Sequence, residues 1–405
     1  MHYSILKYNL IYTSHTIFAT ILKMGMEKLQ MVDLKSQYKK IKDDINIAMQ
    51  EVLDNASYIN GPQVGLFAQE LATYLDVKHV IPCANGTDSL QIAMMALGLK
   101  PGDEIITPSY TYFATVEVIA LLGLTPVFCE VDPKTFCIDA SKIESLITPN
   151  TKAIVPVHLY GQTADMESIL AIAEKHTLFV IEDNAQAIGG YYTFSDGTKK
   201  ANGTMGNVGS TSFFPSKNLG CYGDGGALFT NDSDLAVRMK MVANHGQKSK
   251  YVHEIVGCNS RLDTLQAAVL RVKLQYLDSY CEARRSVADY YDKAFANNPS
   301  ITTPFCSPSS YHVYHQYTIQ LHDVDRDAVQ KELAIRGIPT TIYYPIPAHR
   351  QAMIESLHLG ETVLETTDWL TARVLSLPIH TEMNEEQLSF ISTQLIEIIE
   401  NLKQK

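Results

Sequence analysis

The chain has 405 residues, enough for one large α/β domain and a smaller one around a sizeable core. Hydrophobic residues make up 46% and charged residues 19%; with 33 Lys and Arg against 44 Asp and Glu the formal charge is −11, which disfavours duplex nucleic acid as a partner but leaves room for a small anion held by a few local cations. Seven cysteines without a C-x-x-C pair argue against a zinc site and fit reduced thiols in a cytoplasmic protein, and no stretch reaches the ~18–20 apolar residues that span a membrane.

Residues 1–25 mix Tyr, His, Asn and Lys with Ile and Leu, and lack the uninterrupted apolar run of a signal peptide. They read as an extension that folding does not need, the patterned chain beginning near Met26. From Ile81 to about Thr230, helical stretches alternate with short apolar runs, as in successive βαβ units. Ala84-Asn85-Gly86-Thr87 leads into a helix over Asp88 to Leu97. A helix start offers unpaired N–H groups and a positive dipole end that together can hold a phosphate, although an ordinary capped helix has the same signature. No Gly-Lys-Ser/Thr follows, so this is not a P-loop.

Glu104–Thr107 reads as a strand, Ala114–Leu122 as a helix, Pro126–Val131 and Ala153–His158 as strands, and Met166 to Lys175 as a helix. The strand Leu178–Ile181 runs into Glu182-Asp183-Asn184-Ala185-Gln186. Open α/β sheets bind ligands beyond the carboxyl ends of their strands; a carboxylate there can pair with a protonated ring nitrogen, bind a metal or cap a helix. Ser210–Phe214 and Gly226–Phe229 add two strands, and such near-continuous apolar runs suit a sheet covered on both faces. Between them, Ser212-Phe213-Phe214-Pro215-Ser216-Lys217-Asn218-Leu219-Gly220 wedges a lysine between Pro and Gly. A lysine with limited solvent can have its pKa lowered and act as a carbonyl nucleophile, whereas most lysines are simply solvated.

Asn259-Ser260-Arg261-Leu262-Asp263 follows the basic Arg238–Lys250 segment; Arg261 is either an anion fork or half of a salt bridge with Asp263. A helical tract from about Leu262 to Ala296 carries one apolar stripe of Leu262, Leu265, Val269, Val272 and Tyr276. After a Pro- and Ser-rich break at 303–310, the pattern predicts a strand over His315–Leu321, a helix over Asp325–Arg336, a strand over Pro339–Tyr343 and a closing helix from about Asn384 to Leu402.

Taken in this order and spacing, the Gly86, Asp183, Lys217 and Asn259 segments resemble the DegT/DnrJ/StrS family of pyridoxal phosphate (PLP)-dependent sugar aminotransferases, from about Met31 to the C-terminus. The resemblance implies PLP-dependent transferase fold type I, which is α/β and aspartate aminotransferase-like. It would comprise a large doubly wound, mostly parallel sheet domain over 26–260, then a linking helix and small α+β domain over 261–405, in a homodimer with shared active sites. It further implies Lys217 as the Schiff-base lysine that also shuttles the proton, with Gly86, Thr87 and Ser212 on the cofactor phosphate and Tyr112 on the pyridine ring. Asp183 would face the ring nitrogen, Gln186 the ring hydroxyl, and Asn259 would reach the phosphate from the partner subunit. Asn184 departs from the small residue usual in the family, a change expected to affect only packing beside the ring.

Within the family the resemblance points to members acting on UDP-linked 3-keto sugars, through Val157–Gln162, Cys221–Gly226 and Tyr344–Pro347. There Arg261, Tyr343 and Tyr344 would lie at the sugar end of the site, Tyr343 standing where a His is common. Glutamate is the implied amino donor and a surface-polysaccharide sugar the implied end use. Amination of a dTDP- or UDP-4-keto sugar and a non-catalytic regulatory protein of the same fold are the alternatives. Lys217 argues against the family's dehydratase branch, which has His there, and no G-x-G-x-x-G turn supports a nucleotide-sugar oxidoreductase.

Overall fold

The computed structural model describes residues 28–360 and 362–404, so the expectation for residues 1–25 lies outside it. Two helices precede the sheet. Helix α1 (Leu34–Asp54) starts where Asp33 accepts the Ser36 amide, and α2 (Pro62–Leu75) has Pro at its first turn, where the missing N–H is no loss. The alternating pattern then gives β1 (His79–Cys83), α3 (Gly86–Ala96), β2 (Glu104–Pro108), α4 (Ala114–Leu121), β3 (Thr125–Cys129), β4 (Thr151–Ile154), α5 (Met166–His176) and β5 (Phe179–Asp183). β6 (Val208–Ser212), β7 (Gly226–Thr230) and α6 (Ser233–Ala243) follow.

The seven strands form one sheet in the order β1-β7-β6-β5-β4-β2-β3. β7 runs antiparallel to both neighbours and the remaining strands are parallel to one another, as the doubly wound reading implies. β1, β2, β5 and β6 therefore end on the same edge, which is where Gly86, Tyr112, Asp183 and Ser212 emerge. Helices α3, α4 and α6 bury Leu90, Ile92, Val118, Ile119 and Met239 against one face, and α5 buries Met166 and Ile169 on the other.

The tract expected as one helix over 262–296 is two, α7 (Thr264–Leu274) and α8 (Leu277–Phe295), interrupted at Gln275 and Tyr276. Tyr276 has φ −105° and ψ −1°, outside helical geometry. Nor is α7 buried along a single stripe. Ala267 and Leu270 join the cluster holding α2's Phe67 and Leu71, while Val269 packs on Ile41 and Ile45 of α1.

β8 (Ile301–Thr302), β9 (Tyr317–Leu321) and β10 (Val374–Leu377) form a second, antiparallel sheet with β9 in the middle, and α9 (Arg326–Ile335), α10 (Glu365–Thr371) and α11 (Glu385–Lys403) accompany it. The strand expected over Pro339–Tyr343 is absent: that segment reaches the sheet only through a bridge between Thr341 and Ser376, and the partner of β9 is β10 instead. Proline lacks a ladder donor, and Pro339, Pro345 and Pro347 crowd this stretch; its β-branched Thr340-Thr341-Ile342 run imitates a strand. Pro156 likewise accompanies the end of β4 pairing at Ile154, short of the expected His158.

Candidate active site

β1 delivers the chain to Asn85, whose extended backbone and side chain cap α3: Asn85 Oδ1 accepts the Asp88 amide at 2.8 Å. The amides of Gly86 and Thr87 lie in the first turn, where a helix has no acceptor of its own for them. Ser212, at the end of β6, faces this turn. A Cβ at Gly86 would stand 2.7 Å from the Ser212 Cβ, so glycine is what lets the two segments approach. Ser212 Oγ accepts the Phe214 amide at 3.3 Å, leaving its own hydrogen available. Ser89 Oγ donates to Gly86 O at 2.6 Å and bonds Ser210 Oγ, tying the turn to β6.

β5 ends on two carboxylates that the strand's alternation sends to opposite faces. Glu182 is fully buried and accepts from His158 Nε2 at 2.9 Å and from the amides of Gly203 (2.9 Å), Met205 (2.6 Å) and Gly206 (2.6 Å). His158 Nδ1 accepts the Ala164 amide at 3.2 Å, which assigns its proton to Nε2. Asp183 is also buried but has no cation within 4 Å among the described residues; Thr115 Oγ1 donates to Oδ2 at 2.8 Å and the Ala185 amide to Oδ1 at 3.1 Å. Nothing in the sequence singled out Thr115, the second residue of α4. Asn184 turns away, its Nδ2 donating to Asn202 O at 2.9 Å. Gln186 is engaged at both ends: Oε1 accepts the Tyr160 amide (2.8 Å) and Nε2 donates to Tyr344 Oη (3.0 Å).

Lys217 sits in the turn after β6, where its amide donates to Phe214 O at 2.8 Å. No carboxylate of the described residues lies within ion-pair distance of it. Burial destabilises its ammonium and lowers the pKa to about 8, against the opposing pull of the Asp183 carboxylate. His315 belongs to this corner too, although its sequence position marked only a strand start. Burial, then the positive charges of Lys217 and Arg284, hold its imidazole neutral. Arg284 is buried and donates through Nη1 to the carbonyls of Tyr314 (3.2 Å), His315 (3.2 Å) and Ile379 (3.1 Å), fixing the segment.

Tyr112 is 61% exposed on the loop between β2 and α4, its ring 6.1 Å from that of Tyr344. Tyr343 presents its carbonyl to Tyr110 Oη at 2.5 Å and to Tyr160 Oη, and the Tyr343–Tyr344 peptide is cis. Burial pushes the Tyr344 phenol well up, so it stays protonated. Arg261 is half-buried and forms no salt bridge with Asp263, the pairing weighed from the sequence. Asn259 is exposed, joined to Asn244 only by a backbone bridge, and meets none of the other predicted site residues within this chain. A cleft of about 800 Å³ elsewhere contains none of these residues; its Asp132, Asp139 and Asp165 serve as turn and helix caps.

The corner formed by Gly86, Ser212, Asp183 and Lys217 fits PLP on chemical grounds. Free first-turn amides and a hydroxyl suit its phosphate, a buried carboxylate without a cation suits a protonated ring nitrogen, and an amine of lowered pKa suits its aldehyde.

The sequence profile described as the DegT/DnrJ/EryC1/StrS aminotransferase family matches residues 39–396. The chain is 45% identical over 367 residues to UDP-2-acetamido-2-deoxy-3-oxo-D-glucuronate aminotransferase of Pseudomonas aeruginosa, covering 91% of this chain and 99% of that protein. It is 43% identical over 365 residues to UDP-N-acetyl-3-dehydro-alpha-D-glucosamine 3-aminotransferase of Acidithiobacillus ferrooxidans, covering 90% and 96%. The crystal structure of NtdA from Bacillus subtilis with bound cofactor PMP superposes with a TM-score of 0.85 at 32% identity, covering 93% of this chain and 86% of that one.

Proposed function

The chain belongs to the DegT/DnrJ/EryC1/StrS aminotransferase family, and from that premise we propose the reaction it performs: transfer of an amino group from glutamate to the C3 ketone of a UDP-linked sugar, by a cytoplasmic homodimer. It is a PLP-dependent nucleotide-sugar aminotransferase of fold type I. The observation carrying the residue assignments is that an amine of lowered pKa feels the charge of a buried carboxylate with no cation within 4 Å among the described residues, while Ser212, five residues before that amine, packs against an open helix start. Two relatives whose names specify UDP-linked 3-keto sugars support the substrate.

When bound, PLP supplies an electron sink for the charge that develops when a proton leaves the donor's α-carbon. Lys217 Nζ, without an ion pair among the described residues, would be the attachment point and, once the donor's amine has displaced it, the base for this proton. Asp183, kept in place by Thr115 and the Ala185 amide, accepts a hydrogen bond from the ring nitrogen and keeps it charged. The Gly86 and Thr87 amides and Ser212 Oγ hold the phosphate, completed by Asn259 of a second copy. Tyr112 would cover the ring, and Gln186, oriented by Tyr160 and Tyr344, would meet its hydroxyl. Arg261, without a carboxylate partner among the described residues, and the Tyr343–Tyr344 pair would take the sugar end; a guanidinium suits a diphosphate or a uronate carboxylate equally.

The test is amino transfer from glutamate to a panel of 3-keto and 4-keto nucleotide sugars, run beside Lys217→Ala. Turnover of UDP-3-keto sugars is expected, with none in the variant. Borohydride reduction should leave the cofactor's mass on the Lys217 peptide of the wild type alone. Turnover of 4-keto sugars only would refute the C3 assignment, and an active Lys217→Ala would refute the lysine's role.

A further inference from the structure

The loop bearing Tyr112 leaves the carboxyl end of β2 and is gripped by a segment more than two hundred residues away. The Ala348 amide donates to Ser109 O at 2.9 Å, and the His349 amide donates to Ser109 Oγ at 3.0 Å. Ser109 Oγ in turn lies 2.7 Å from His349 Nδ1. Either atom can be the donor in this contact, Oγ–H to Nδ1 or Nδ1–H to the second Oγ lone pair, and each arrangement joins Ser109 to His349. His349 Nε2 stands 3.6 Å from Asp368 Oδ1, beyond hydrogen-bond reach, and has no hydrogen-bond partner among the described residues; Asp368 is held by Arg350 Nε at 2.7 Å.

The Ser109–His349 pair has the serine–histidine contact of a hydrolase but not its access. Ser109 is wholly buried, so no acyl group can reach its oxygen. What the contact does instead is fix backbone. Tyr112 is mostly exposed and has Tyr344 as its ring neighbour, so its position follows from the course of residues 109–113. The far end of that stretch is held where Thr115 Oγ1 donates to Tyr112 O at 3.3 Å, the near end by Ser109 and by Tyr110 Oη on Tyr343 O.

We propose that Ser109 and His349 are positioning residues that hold Tyr112 over the cofactor ring. This rests on the reading above that Tyr112 faces that ring. No role in cofactor contact belongs to Ser109 or His349 themselves.

The experiment uses the PLP-loaded enzyme and reads the absorption band of the bound cofactor and its release rate. Tyr112→Ala is expected to shift the band and speed release. Ser109→Ala and His349→Ala should shift the band in the same direction and speed release about five- to tenfold, the effect of losing a buried hydrogen bond. Each combined with Tyr112→Ala should add less than the sum of the two. His349→Asn, whose Oδ1 can stand in for Nδ1, should restore the wild-type band. If His349→Ala fails to fold, Ser109→Ala, which removes one oxygen, carries the comparison. Should Tyr112→Ala move band and release while Ser109→Ala and His349→Ala lower only thermal stability, the positioning role is wrong and the ring-facing reading stands. Should Tyr112→Ala change neither, both fall together.

Discussion

Lys217 shows how its surroundings change the chemistry of an ordinary side chain. Its folded-state pKa of about 8 lies below the usual 10.5 because the charged form is desolvated. Below about 8 both folded and unfolded chains hold the proton, and the burial penalty stands in full. Between 8 and 10.5 the unfolded chain holds a proton that the folded chain has released, so this group's contribution to stability rises with pH. Cofactor-free Lys217→Met should therefore melt above the wild type near pH 7, by a margin that shrinks towards about pH 10. Equal margins at both pH values would contradict the lowered pKa. Lys217 and Asp183 were legible because each sits where an apolar strand breaks into polar residues. Thr115 and His315 were not, since their roles come from neighbours 68 and 98 positions away along the chain, which no local pattern encodes.

At the scale of elements, the alternating αβ region was readable nearly strand for strand, because buried parallel strands and amphipathic helices carry strong periodic signals. The C-terminal sheet was read less well. Three prolines and a β-branched run disguised the Pro339–Tyr343 connection, while β10, only four residues long, was passed over. Helix starts fared better where a side-chain cap marks them. Asn384 opens α11 with a capping box, accepting the Gln387 amide at 2.9 Å while Gln387 Oε1 accepts the Asn384 amide at 3.1 Å. Asn384→Ala should cost about 1 kcal/mol locally, raising hydrogen exchange at the Gln387 amide about fivefold. Unchanged exchange would show that packing of α11 against α8 and α9, and not the cap, fixes its first turn.

For the whole molecule, the proposed sharing of sites between two copies makes a sharp prediction. Asn259 lies on the surface of one chain with no bond to the rest of its own site, and Lys217 lies inside. A mixture of Lys217→Ala and Asn259→Asp protomers should then regain activity, because each mixed dimer contains one site with both native residues. Random pairing restores about a quarter of the sites. No recovery above the separate variants, with mixed dimers confirmed by mass, would place Asn259 outside its partner's site. Resemblance implied the dimer from the sequence; an isolated chain carries only the gap it would fill.

The close contact of Gly86 with Ser212 has one more consequence. Those residues stand 126 positions apart, on strands separated in the sheet by antiparallel β7, whose Gly226 lies opposite both Cys83 and Ser212. On the proposed assignment of Gly86 and Ser212 to the phosphate, that cradle is complete only with β7, the last strand of the sheet, lying between the two earlier strands that lead to them. On that assignment, capture of the vitamin would serve as a certificate of completed assembly, since a nascent chain that has emerged only as far as Ser212 lacks both β7 and Lys217.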